Sequence, residues 1–253
     1  MTIDLTDGVC VVTGAGRGLG RAMAIELCSR GVQVVGLGRN VADLRAVSPV
    51  AGPGFHAVTC DVSDTAQVAA AFSNIATIGP VSILINNAAV YPRRDFLEED
   101  TDSFMRSVAV NLGGTVACTR HALEVMVDRG FGRILNVATF ADIAPLPASS
   151  AYAVSKGAAR IFTRALVADL GDRFPDIVIG DWMPGMLATT MGIPDGLDPA
   201  QSAKWGATLA LWHDPSLTGT VFEMDRELPP QRSLKRRLLD KALLRKQVIR
   251  SLG

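Results

Sequence analysis

Aromatic residues are few, 6% of 253, and only two of them are tyrosines, Tyr91 and Tyr152. A core for a chain this long must therefore be assembled from Ala, Val, Leu and Ile. Cysteine is sparse too. Cys10, Cys28, Cys60 and Cys118 form no CxxC pair, which excludes a zinc ribbon or a disulfide framework and leaves reduced, buried thiols as the reading. Net charge is absent, because 25 basic residues cancel 25 acidic ones; a chain that coats nucleic acid with its whole surface is excluded. No uninterrupted run of 18 apolar residues occurs, so no membrane-spanning helix is expected. The N-terminal MTIDLTDG lacks the basic and apolar regions of an export signal. A soluble, cytoplasmic protein is the expectation. His56, His121 and His213 share no spacing that suggests a metal or a triad, and no metal is expected.

What is present is an ordinary globular composition, 48% apolar and 20% charged, with mean hydropathy +0.26. The charge balance conceals an asymmetry. Residues 231–253 carry eight Lys/Arg against one acid, Asp240, so a basic segment follows an acidic body. That segment is helix-prone, with Leu234, Leu238, Ala242, Ile249 and Leu252 on one stripe that Lys241 and Arg245 interrupt. It reads as a basic helical extension packed on a neighbouring acidic subunit, and a membrane-surface helix has a similar pattern.

Short apolar runs at residues 9–12, 32–37, 56–59, 83–85, 133–137, 177–179 and 220–223 read as strands. Helical periodicity fills the intervals at 19–30, 64–78, 101–128, 150–173 and 200–212, with a short helix at 41–47 closed by Pro49. Continuously apolar strands are buried on both faces. Alternation of strand and helix then predicts an α/β, doubly wound (Rossmann) parallel sheet of about seven strands, with helices on both faces. No linker and no repeat interrupt it. Residues 1–230 read as one domain containing its own active site.

Thr13-Gly14-Ala15-Gly16-Arg17-Gly18-Leu19-Gly20 lies between the first strand and the first helix. A dinucleotide pyrophosphate needs backbone N–H groups at a helix N-terminus and no Cβ where the chain turns beneath it. Gly14, Gly18 and Gly20 answer that need, and the strand–loop–helix setting makes the triplet more than a plain turn. Arg17 sits inside the loop, and Arg39 and Asn40 follow the second strand. An acid at that strand end would select NAD through the ribose 2′-OH. Gly38 and Arg39 stand there instead, with no carboxylate before Asp43. Two guanidiniums can bracket a 2′-phosphate, so NADP(H) is the expected cofactor.

Tyr152-Ala153-Val154-Ser155-Lys156 places a phenol and an ammonium at i and i+4, on one helix face. A free phenol with pKa near ~10 is a poor proton donor at neutral pH, and a cation held close makes it a usable one. These residues together resemble the short-chain dehydrogenase/reductase family in its single-domain branch. The likeness runs over residues 5–225 and rests on the glycine loop, Asp61-Val62, Asn86-Asn87-Ala88-Ala89, Asn111, Tyr152/Lys156, and Pro184 to Thr189.

The resemblance implies that Leu19 belongs with the glycines in the cofactor loop, and that Asp61, Val62, Asn87, Ala88 and Ala89 flank the adenine side. It implies that Tyr152 exchanges the proton with the substrate oxygen, while Lys156 depresses the phenol pKa and binds the nicotinamide ribose. Asn111 would break its helix and hold a water of the proton relay. Pro184, Gly185, Leu187 and Thr189 would cover the nicotinamide. The substrate would be a small carbonyl compound or alcohol, in a largely apolar pocket formed by Tyr91, Phe140, Leu146, Met186 and Met191.

Three departures from the family pattern bear on function. The family's catalytic serine falls on Thr139, whose hydroxyl can do the same work with an added methyl. NNAG is NNAA here, through Ala89, and the segment after Pro184 is short. Arg93 and Arg94 read as a solvated loop pair. Small residues at Ala109, Gly113, Gly114, Ala117, Ala158, Ala159 and Ala165 suggest close helix packing in a homodimer or homotetramer. The expected activity is an NADP(H)-dependent reductase or alcohol dehydrogenase. An imine reductase, an epimerase and a catalytically silent NADP(H)-binding regulator are the alternatives.

Overall fold

All five residues of β1 (Val9–Thr13) and all six of β4 (Val81–Asn86) are buried, as their unbroken apolar character requires. A computed structural model describes residues 3–229 and 249–252. Between these two strands the chain forms α1 (Gly18–Ser29), β2 (Gln33–Gly38), α2 (Val41–Arg45), α3 (Ser48–Ala51), β3 (Phe55–Thr59) and α4 (Thr65–Ile78). It continues through α5 (Thr101–Val108), α6 (Gly114–Arg129), β5 (Gly132–Val137), α7 (Ser150–Leu170), β6 (Ile177–Met183), α8 (Pro199–Leu211), β7 (Val221–Glu223) and β8 (Arg226–Leu228).

The strands form one sheet in the order β3-β2-β1-β4-β5-β6-β7-β8. Every pairing is parallel except β7–β8. The expected fold class is therefore present, with one correction. Among the described residues the sheet has eight strands, because Met224 and Asp225 turn the chain back into an antiparallel edge strand. Successive residues of each strand feed opposite cores. Cys10, Val12, Ile83 and Ile85 pack with Met23, Leu27, Ala203 and Ala207 of α1 and α8. Val9, Val11 and Leu84 pack with Val68, Ile75, Cys118 and Met126 of α4 and α6. This is the three-layer solution for a sheet apolar on both faces.

Local signals fix the helix ends. The Asp64 carboxylate accepts from the N–H groups of Ala66 and Gln67 and starts α4, while Asn40, Asp100 and Asp198 cap α2, α5 and α8 in the same way. Pro49 does not close the helix at 41–47. It opens the separate turn α3, where its missing N–H costs nothing. The long helix expected at 101–128 is divided by a π-helical turn, Ala109–Gly113, centred on Asn111.

Strand order reverses between β1 and β4, each flanked by the strand that follows it in its own half. The crevice at their carboxyl ends is where such sheets receive ligands. Residues 231–248, where the basic helical extension was expected, lie outside the described residues. The described end, 249–252, runs beside the sheet edge: Ser251 bridges Arg226, and Arg250 binds Glu227 through Nε at 2.7 Å and Nη2 at 2.9 Å.

Candidate active site

A cleft of about 2280 Å³ opens over the carboxyl ends of the strands, from the glycine loop to Met191. All the sequence-predicted site residues line it except Gly20 and Asn111, which act from behind its wall.

At the nucleotide end, β1 delivers the chain to Gly14 and Gly18, which adopt φ of 68° and 54°. Those values favour glycine. Gly20 is required for closeness instead, since a Cβ there would lie 2.2 Å from the Gly14 carbonyl oxygen. The Thr13 hydroxyl accepts the N–H groups of Asn87 and Ala88, both at 2.9 Å, and Asn87 Nδ2 donates to the Thr13 carbonyl at 2.8 Å. The Asn87 amide thus fastens β1 to β4 at the switch point. Gly114 packs on Val62, where a Cβ would meet the valine side chain at 2.6 Å, so α6 supports the wall opposite.

Arg17, Arg21 and Arg39 reach the rim of this end together with Asp43. Asp43 lies against Gly16, where an added Cβ would approach its own Cβ to 2.9 Å. Arg39 is more than half exposed and stands 3.8 Å from Asp61. The residues fit a dinucleotide: a cradle without side chains under the phosphates, a helix N-terminus pointing at it, and cations at the ribose rim. Arg21 was not anticipated. It lies one helical turn beyond Arg17, and that i, i+4 spacing was the available signal.

At the chemical end, α7 begins beside the cleft and carries Tyr152 in its first turn and Lys156 in the next. Tyr152 stacks on Tyr91, with ring centroids 4.5 Å apart and planes 17° from parallel. Burial pushes the Tyr152 phenol above its ordinary range, and the hydrogen bond from Thr139 opposes that rise. Thr139 also accepts the Ala141 N–H at 3.2 Å, which starts the short turn Phe140–Asp142.

The Lys156 ammonium donates to the Val137 carbonyl at 2.6 Å, and burial lowers its pKa to about 8. The lysine points to the end of β5, and Thr139 supplies the lowering influence on Tyr152.

Asn111 is fully buried and its side chain is fully bonded. Its oxygen accepts the Val90 N–H at 2.7 Å, and its nitrogen donates to the Val90 carbonyl at 3.0 Å and to Ser155 Oγ at 2.9 Å. The expected local break in the helix is there, as the π-turn, a distortion that often marks functional sites. Through Ser155 it fixes α7 next to Lys156. Sequence reasoning passed over Ser155, although its place beside Lys156 on the buried face of α7 was the signal.

Phe140, Leu146, Met186 and Met191 line the outer cleft with Tyr91. Arg93 and Arg94 are exposed on their loop, as expected, and each also has protein partners. Arg93 donates to the carbonyls of Met191 and Gly192, and its guanidinium stands 5.2 Å from the Tyr91 ring centroid. Arg94 binds Ser103 and lies 3.8 Å from Glu99. Among the described residues no group of acidic, His or Cys side chains could hold a metal ion, and no helix is long and apolar enough to cross a membrane.

Comparison with known proteins gives a consistent result. A family model described as short chain dehydrogenase matches residues 8–198. L-xylulose reductase of Mesocricetus auratus is 33% identical over 79% of this chain and 80% of its own length. Carbonyl reductase (NADPH) 2 of Sus scrofa is 32% identical over 77% and 78%. Galactitol 2-dehydrogenase (L-tagatose-forming) of Cereibacter sphaeroides is 33% identical over 81% of both chains. A crystal structure from Agrobacterium tumefaciens named for gluconate dehydrogenase superposes with a TM-score of 0.80 at 25% identity, covering 87% of this chain and 95% of the other.

Proposed function

The chain belongs to the short-chain dehydrogenase/reductase family, and on that premise we propose that it is an NADP(H)-dependent reductase of ketones or aldehydes, or the dehydrogenase of the corresponding alcohols. The observation that carries this reading is the meeting of Thr139, Tyr152 and Lys156 in one cleft with a glycine cradle ringed by Arg17, Arg21 and Arg39. The nicotinamide, when bound, supplies or accepts the hydride. Tyr152 then gives the substrate oxygen its proton, or takes it, and Thr139 holds that oxygen by a hydrogen bond. Lys156 binds the ribose and fixes the approach to the phenol. Asn111 is a positioning residue, since its amide is spent on Val90 and Ser155.

NADP(H) preference rests on Arg17 and Arg39, with Gly38 where an acid would favour NAD(H). The relatives named above act on sugars and on carbonyl compounds, and one of them names NADPH. The apolar outer cleft favours a carbonyl attached to an apolar group. Dissociation constants for NADPH and NADH, read by nicotinamide fluorescence, test the preference. NADPH is expected to bind at least tenfold more tightly; equal affinities would refute it.

The assembly proposed is a homodimer or homotetramer. Among the described residues, Met105, Val116, Val154 and Ile161 leave apolar side chains exposed on α5, α6 and α7, and a second copy is the cover this reading assigns to them. Of the small residues singled out earlier, Gly114 and Ala159 are buried inside the protomer, so they take no part in that face. Light scattering at micromolar concentration should give a multiple of 26.7 kDa; a monomer would overturn the assignment.

A further inference from the structure

Beneath the active site runs a chain of buried polar side chains that the chemistry above does not use. Asp181 lies on β6, directly across from Asn136 in the β5–β6 register. Its carboxylate accepts the Thr163 hydroxyl at 2.7 Å. Thr163 in turn accepts Asn136 Nδ2 at 2.9 Å, and Asn136 Oδ1 accepts Asn86 Nδ2 at 2.8 Å. Asn86 Nδ2 also donates to Thr119 at 2.9 Å. The chain thus spans β6, α7, β5, β4 and α6, and Asp181 is its only ionisable member.

Thr163 stands seven residues beyond Lys156 on α7, two turns away on the same face. Lys156 itself binds the Val137 carbonyl, one residue past the Asn136 that Asp181 opposes. The buried ammonium and the buried carboxylate therefore face the same end of β5. Both residues are 4% exposed.

The neighbouring charges share in the pairing. Arg160 on α7 places Nη1 at 2.7 and 2.9 Å from the two oxygens of Asp142, and both charges also act on Asp181. Arg133 on β5 donates to the carbonyls of Leu209, Ile134 and Val178, and the Asp181 carboxylate favours its charged form as well. From β7, the residue in register with Asp181 is the uncharged Val221. Asp181 is thus a buried counter-charge that Lys156 shares with Arg133 and Arg160.

We propose that Asp181 is a positioning residue whose buried carboxylate, held by Thr163 on the face of α7 that carries Lys156, keeps the Lys156 ammonium charged, and so able to bind the ribose and support Tyr152. Burial drives Lys156 down to about 8, and the Asp181 carboxylate is the influence that opposes the fall. Burial likewise drives Asp181 up to about 6, against Thr163, Arg160 and Lys156, which favour its charged form; Asp142 adds to the rise. Between those two values both groups are charged and the pairing is complete.

The direct test reads the lysine itself. In ¹⁵N-labelled protein, the Lys156 Nζ resonance, assigned by its loss in Lys156→Arg, is followed against pH in the wild type and in Asp181→Asn. The midpoint is expected to fall by about one unit or more in the variant, as for loss of an opposite charge at close range. An unchanged midpoint overturns the proposal. Asp181→Ser, smaller and equally neutral, replaces the asparagine variant if that fails to fold.

A second arm rests on the function proposed above. The alkaline limb of kcat should move to lower pH by the same amount, giving roughly a fivefold loss at about pH 8 that shrinks towards about pH 6. A shifted lysine midpoint in a protein that turns over no carbonyl compound would leave the pairing standing and sink the oxidoreductase reading. A uniform loss of kcat at all pH values, with the lysine midpoint unmoved, would mean that Asp181 is structural only.

Discussion

The two ends of the cleft are built in opposite ways. At the nucleotide end the working surface is backbone, exposed through residues that have no side chain, and the charged groups stand at an open rim. At the chemical end the working surface is side chain, and each group is held by a specific partner: Tyr152 by Tyr91 and Thr139, Lys156 by Val137, Asn111 by Val90 and Ser155. The first end binds by geometry that any L side chain would spoil. The second works by polarity that survives only because its hydrogen bonds are satisfied away from water. Substitutions at the two ends should therefore separate cleanly, with cofactor affinity failing at one and turnover at the other.

The largest separation is expected from Tyr152→Phe. Removing the only proton-transferring hydroxyl should lower kcat by roughly 10³-fold while cofactor affinity stays within about threefold, because the ring still stacks on Tyr91. Steady-state kinetics with a fluorescence titration of cofactor checks both halves, and a comparable loss in affinity would break the comparison.

Thr139→Val comes next. It keeps the shape and removes the hydroxyl, so kcat should fall by about 10²-fold, whereas Thr139→Ser should stay active. Undiminished turnover in Thr139→Val would show that the hydroxyl is not used.

Arg39→Ala probes the open rim. One charge-assisted contact is worth about 1.5–3 kcal/mol, so NADPH should bind roughly ten- to a hundredfold more weakly, with kcat at saturation little changed. A fall in NADH affinity of the same size would mean that Arg39 does not read the 2′-phosphate.

The smallest effect belongs to a site remote from both ends. Arg250 holds the Glu227 carboxylate below its usual range by hydrogen bonding. Because the folded-state pKa of Glu227 is depressed, the stabilisation is complete above its ordinary value of 4.5. It is lost as pH falls through the depressed one. Arg250→Ala should cost about 1 kcal/mol at neutral pH, given the partial exposure of the pair. The difference should disappear well below the ordinary Glu range. Urea unfolding at both pH values measures it, and a loss that persisted in acid would assign the effect to the Trp212 ring instead, whose centroid lies 5.8 Å from the Arg250 guanidinium.

Much of the fold could be read from the sequence, because its signals are local and redundant. The unbroken apolar strands gave burial on both faces, Asp64 marked a helix start that is a true cap, and the glycine loop fell between strand and helix. The eighth strand was missed because Arg226–Leu228 is three residues long and carries no apolar run. Pro49 was misread because the same residue stops one helix and starts another. At the site, motif spacing found the residues that face the cleft but not those behind them. Ser155 and Asp181 are held by pairings of α7 with the π-turn and with β6, and no linear spacing encodes those contacts. The contacts that exposed Arg93 makes with the carbonyls of Met191 and Gly192 are equally illegible, since those partners lie some hundred residues away.

The central claim is that this cleft moves a hydride to or from a carbon bearing oxygen, with Tyr152 as its proton partner. Its most direct test follows nicotinamide absorbance with NADPH and a panel of apolar ketones and aldehydes, for the wild type and Tyr152→Phe side by side. The account predicts carbonyl-dependent oxidation of NADPH by the wild type, nearly abolished in the variant although both proteins bind the cofactor. No oxidation by a wild type that binds NADPH, or equal turnover by the two proteins, would contradict it.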